Sequence, residues 1–132
     1  MNKVVARFAG GHMIKGTTTD FFSGTEVFHV SMLDAPAEEK PFEIYTKYLK
    51  ALFFVKDFRG DPHYVNRNEF DPKHPTIGPK IRVEFNDGEV LVGTSTDYHP
   101  GCSGFFILPA DTNTNNELCY VVVEAAKEIR IL

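Results

Sequence analysis

The sequence has no tryptophan, only two cysteines, and fewer basic than acidic residues, 14 against 18, for a net charge of −4. Each shortage excludes something. An acidic chain repels phosphate through its whole field, which argues against a dedicated nucleic-acid binder. Two cysteines, Cys102 and Cys119, cannot form a disulfide framework and read as reduced thiols. The N-terminus has no apolar run of the length needed for a signal peptide or a membrane span, so a cytoplasmic protein without a membrane partner is expected.

Motifs of chemistry are equally scarce. His12, His29, His63, His74 and His99 show no metal-ligand spacing, there is no C-x-x-C pair, and no glycine loop of the P-loop or dinucleotide type occurs. Asp97, His99 and Cys102 are close in sequence, but neighbours on a turn rarely aim at one another as a nucleophile and its base must. Arg59-Gly60-Asp61 reads as a turn. The expectation is therefore no catalytic residue, no metal and no cofactor.

What is present is doubled. Phe8 to Phe28 and Phe85 to Phe105 share a pattern at a constant offset of 77 residues, which aligns Gly16 with Gly93, Asp20 with Asp97 and Phe28 with Phe105. In each copy an alternating strand (Lys3 to Phe8; Lys80 to Phe85) leads through a glycine hairpin into a second strand (Met13 to Phe22; Glu89 to Tyr98). That second strand carries an interior glycine, the usual mark of a bend. In the first strand Val4, Ala6 and Phe8 share one face and Val5 and Arg7 the other, a half-buried pattern.

A third strand (Val27 to Leu33; Gly104 to Leu108), a polar loop and a fourth strand (Phe42 to Thr46; Tyr120 to Val123) follow. A single 3₁₀ turn (Lys47 to Lys50; Glu124 to Lys127) and a fifth strand (Ala51 to Val55; Glu128 to Leu132) close each unit. The predicted fold is all-β: two tandem SH3-like or Sm-like small barrels of five strands and one 3₁₀ turn each. The first spans 1–55 and the second 80–132, related by internal duplication. Residues 56–79 read as an ordered connector anchored by Phe58, Tyr64 and Phe70.

Residues kept in both copies are expected to serve the fold: Gly16 and Gly93, Asp20 and Asp97 as acceptors of turn amides, Phe28 and Phe105 as barrel filling. Residues that differ are candidates for function. Where the first copy has Lys15, His29 and Ser31 on an outward face, the second has Val92, Phe106 and Leu108. In the fifth strand the imbalance reverses, with Phe53 and Val55 against Arg130 and Leu132. Apolar residues clustered on an outward face mark contacts. Barrels of about fifty residues are marginal alone. Val92, Phe106, Leu108, Phe53 and Val55 are therefore expected to make a contact between the copies or with a partner.

The run Glu84-Phe-Asn-Asp-Gly-Glu-Val-Leu-Val-Gly93 resembles the first half of the Sm signature. That resemblance implies a small barrel and offers the alternative of a nucleic-acid-binding protein, although His99-Pro100-Gly101 replaces the Asn with which that family holds RNA bases. Three further marks carry a wider resemblance: the twin Gly-x-Thr/Ser-x-Asp-(Phe/Tyr) segments, Phe53-Phe-Val-Lys-Asp-Phe58, and Gly104-Phe-Phe-Ile-Leu-Pro-Ala-Asp111. Over nearly its whole length the chain is similar to an uncharacterised bacterial family whose domain also occurs beside signalling modules including PilZ. The PilZ ligand motifs themselves are missing. This likeness implies a regulatory or adaptor role and names no activity; with no catalytic motif present, the expectation is a non-catalytic module that binds a protein partner or a second copy of itself.

Overall fold

A computed structural model describes residues 2–58, 68–70, 72–73, 76–111 and 113–132. Among these residues ten strands and two 3₁₀ turns alternate in two matching series. The first series is β1 (Asn2–Phe8), β2 (Met13–Thr18), β3 (Val27–Met32), β4 (Phe42–Tyr45), a 3₁₀ turn (Thr46–Tyr48) and β5 (Leu49–Val55). The second is β6 (Lys80–Phe85), β7 (Val90–Thr94), β8 (Gly104–Pro109), β9 (Asn116–Val122), a 3₁₀ turn (Val123–Ala125) and β10 (Ala126–Ile131).

The strand register carries the 77-residue offset as well. Val4 lies opposite Gly16 and Ile81 opposite Gly93; His29 opposite Glu43 and Phe106 opposite Tyr120; Ala6 opposite Leu52 and Val83 opposite Ile129. Gly16 and Gly93 are fixed by the closeness of the next strand. A Cβ on Gly16 would run into the Ser31 carbonyl, and one on Gly93 into that of Leu108.

The all-β class stands, but two separate barrels do not describe the sheet. The strands form one antiparallel sheet in the order β10-β6-β7-β8-β9-β5-β1-β2-β3-β4, open at β10 and β4 among the described residues. The join is β5 on β9, with Ala51 opposite Val121 and Leu52 opposite Tyr120. Each half therefore contributes to the other's core. One core holds Ile81, Val83, Phe85, Phe105, Ile107, Cys119 and Val121, and it takes in Val5, Ala51, Phe53 and Val55 from the first half. The other holds Val4, Ala6, Phe28, Val30, Ile44, Leu49 and Leu52, and it takes in Tyr120 and Val122 from the second.

Strands β1, β5 and β9 thus lie between two cores and bury side chains on both faces. This corrects the half-buried reading of the first strand: Val5 is buried because the second half covers what would otherwise be a solvent face. The second strands also stop earlier than expected, at Thr18 and Thr94. Just beyond each end, Asp20 and Asp97 take backbone N–H groups of β3 and β8, so the carboxylate replaces a strand as acceptor. Both 3₁₀ turns begin one residue earlier than the spacing predicts, and β9 begins at Asn116.

Candidate interaction site between the halves

Phe21, which follows β2, is the centre of an aromatic cluster that joins the halves. Its ring meets Phe28 edge-on at 5.0 Å and Tyr120 at 4.9 Å, while Phe106 packs on Tyr120 at 5.0 Å. Phe54 completes the group from β5. Edge-to-face pairs of this kind contribute about 0.5–1.5 kcal/mol each beyond area burial. The Tyr120 hydroxyl is satisfied across the join, accepting from the Gly24 N–H at 3.2 Å.

Beside this cluster is a cleft of about 680 Å³. Its walls are matching segments of the two halves: Gly24 to Val27 with Tyr45 to Lys47 on one side, Gly101 to Ser103 with Val122 to Glu124 on the other. The first wall is the more polar, with Thr25, Glu26, Thr46 and Lys47, where the second has Cys102, Ser103, Val123 and Glu124. Next to it lies the edge of β4 that no described strand pairs; Phe42 and Tyr45 on β4 and Tyr48 in the following turn stay 48, 45 and 57% exposed. The Tyr45 and Tyr48 rings are 6.2 Å apart, and Lys47 Nζ sits 5.2 Å from the Tyr48 ring centre.

A second junction is ionic. Lys50 on β5 reaches the β6–β7 hairpin, where its Nζ donates to Asp87 at 2.7 Å and to Glu89, and lies 4.7 Å from the Phe85 ring centre. The hydrogen bond from Lys50 holds the Asp87 carboxyl below its ordinary value, with help from the Glu89 N–H. Burial pushes the Cys119 thiol far above its ordinary value, so it stays protonated and inert.

The residues singled out from sequence fall in different places. Phe53 and Val55 lie in the second half's core, and Phe106 lies in the aromatic cluster. Val92 is buried outside both cores. The β7–β8 register places Leu108, which is 55% exposed, on the same sheet face as Val92 and Phe106. Of the connector anchors, Phe58 packs against the second core and accepts a bond from Lys15 Nζ at 3.1 Å, and the Phe70 ring lies 4.7 Å from Lys80 Nζ. Tyr64 lies outside the described residues. Phe105 meets Tyr98 edge-on at 4.8 Å, the counterpart of Phe28 on Phe21.

Among the described residues no group of three or more His, Cys, Asp or Glu is placed to hold a metal ion. His99 and Cys102 are joined by a turn bond from the Cys102 N–H to the His99 carbonyl, not thiol to imidazole. Among the described residues no helix is long and apolar enough to cross a membrane.

A family model, described as a family of unknown function (DUF6982), matches residues 1–132. The chain belongs to DUF6982. No curated protein and no solved structure matches it.

Three residues important to this DUF6982 chain's site escape sequence reasoning: Thr46, Lys50 and Tyr120. Lys50 falls within an expected surface turn, and nothing local signals that a hairpin about forty residues later supplies its carboxylates. Tyr120 reads only as a strand residue. Thr46 had an available signal, because the position 77 residues later is Val123, and threonine and valine differ by a hydroxyl.

Proposed function

We propose that this chain is a non-catalytic protein-interaction module, acting as a regulatory adaptor in the cytoplasm. The observation that carries the reading is the β4 edge, open among the described residues, with Phe42, Tyr45 and Tyr48 exposed beside the cleft. Exposed aromatics next to a concave, partly polar wall are the composition of interaction hot spots. An unpaired strand edge offers backbone groups to a partner. The 77-residue offset in both sequence and register further supports descent of the two halves from one small-barrel unit.

The test is affinity capture from a native bacterial lysate with the intact protein and with Tyr48→Asp. The reading expects a discrete protein that wild type retains and the variant loses. Identical captured proteins for both, with the variant folded by circular dichroism, contradict it. Retention of RNA in place of protein, weakening with salt, would support the nucleic-acid alternative instead.

A further inference from the structure

Thr46, in the wall of the cleft, carries a buried hydroxyl that the fold does not need. Thr46 and Val123 each open a 3₁₀ turn and are related by the 77-residue offset. Valine has nearly the shape of threonine, so Val123 demonstrates that the turn forms without the oxygen. Thr46 is nonetheless only 9% exposed, and its Oγ1 has no hydrogen-bond partner among the described residues. Leaving a buried polar atom unpaired is costly, and native proteins rarely do so. Thr46 lines the cleft, whose volume of about 680 Å³ is in the range of sites that enclose a ligand.

The molecule also contains an example of what occupies such an edge. β9 is related to β4 by the same offset, and β5 lies along it as an antiparallel strand. The corresponding edge of β4 has no strand on it among the described residues. Tyr45 is the last residue of β4 and lines the cleft, so the edge and the cavity are continuous. A second copy is a poor match for that edge. Its β10 is the counterpart of β5, but it has Glu128 and Arg130 where β5 has Ala51 and Phe53, whose side chains enter a core. Among the described residues the cleft carries Glu26 and Glu124 against a single Lys47, an acidic surplus.

From these observations we infer that the cleft receives an extended segment of a partner protein, which adds as a strand to β4, hydrogen-bonds through its backbone to Thr46 Oγ1 once that buried side chain rotates toward the cleft, and brings a basic residue within reach of Glu26 and Glu124. The inference rests on the interaction-module reading and specifies its mode. Main-chain pairing supplies affinity in such strand addition, and pockets for alternate side chains supply choice.

The experiment pans a phage library of random dodecapeptides against the full chain. The enriched peptide, fluorescently labelled, is then titrated with wild type, Thr46→Val, Thr46→Ser and Tyr45→Asp. The expected result is a consensus with a basic residue among alternating apolar ones. Thr46→Val should bind about tenfold more weakly while melting no lower than wild type, Thr46→Ser should restore binding, and Tyr45→Asp should abolish it. Bound peptide should also slow amide exchange along Phe42 to Tyr45. Absence of a consensus, or equal binding by Thr46→Val, overturns the inference. A lysate partner lost by Tyr48→Asp but kept by Thr46→Val would overturn this mode while leaving the interaction-module reading intact.

Discussion

Asp97 holds the start of β8 by a carboxylate grip on Phe106: the Phe106 N–H donates to Oδ1 at 3.1 Å and to Oδ2 at 3.3 Å. Asp20 grips His29 in the same way at 3.0 Å, and its other oxygen lies 2.7 Å from His29 Nδ1. Ser95 and Thr18 donate their hydroxyls to the same two carboxylates. Partial burial acts to raise the Asp20 carboxyl, but the His29 and Thr18 bonds outweigh it and the net direction is downward. A carboxyl depressed by folding adds stability above its unfolded value of about 3.9, and that stability is lost as pH falls through the lower folded value. Urea midpoints measured from pH 6 to pH 2 should therefore fall less steeply for Asp20→Asn than for wild type. Asp97→Asn should cost about 1 kcal/mol at neutral pH, the scale of a solvent-accessible charge-assisted bond.

Lys50 and its two carboxylates should respond unequally to mutation. The Lys50 side chain is 9% exposed, whereas Asp87 and Glu89 are 55 and 50% exposed. Removing the lysine as Lys50→Met lets both carboxylates hydrate and leaves an apolar stem in an apolar place. Neutralising both partners, as Asp87→Asn with Glu89→Gln, strands a buried cation, a change that costs about 3–5 kcal/mol. Chemical denaturation should thus rank the double variant well below Lys50→Met. Equal losses would contradict the buried-cation account. Asp87, depressed by folding, adds its share of stability above the ordinary carboxylate range and loses it in acid.

Gly104 leaves room for the Tyr120 ring. A Cβ there would collide with the Tyr120 hydroxyl and ring carbons, whereas one on Gly10 meets nothing within 4 Å. Gly104→Ala should cost about 1–3 kcal/mol, the usual penalty of overpacking. It should also broaden the signals of Phe21 and Phe106 in NMR spectra. Gly10→Ala should be close to neutral, so the pair separates crowding from a general effect of replacing glycine.

Much of the strand order was legible because two copies of one pattern reinforce each other. The hairpin at Asp87-Gly88 and the five-strand sequence of each half reappear in the structure, whereas Gly16 and Gly93, expected as bends, lie in an unbroken register where the next strand comes close. What periodicity could not show is where a strand's second face goes. Val5 and Phe53 alternate like solvent-facing residues, yet a core built by the other half covers them. The cleft was hidden for the same reason: its walls come from segments 77 residues apart that touch only when β5 lies on β9.

The sheet ends are part of the same comparison. At β10, Glu128 and Arg130 stand where β5 has Ala51 and Phe53, and charges on an edge strand discourage further pairing. Glu128→Ala with Arg130→Phe should make the chain associate in a concentration-dependent way in sedimentation velocity, while wild type should not. Identical sedimentation of the two would mean that these charges do not terminate the sheet.

The central structural claim is that each half completes the other's core, so neither has a stability of its own. Native-state hydrogen exchange in increasing denaturant measures this directly. The slowest amides of β1 and β3 should converge with those of β6 and β8 on one opening free energy, and Phe53→Ala should lower both sets together. Two separate opening energies, with Phe53→Ala moving only the second half, would contradict the account.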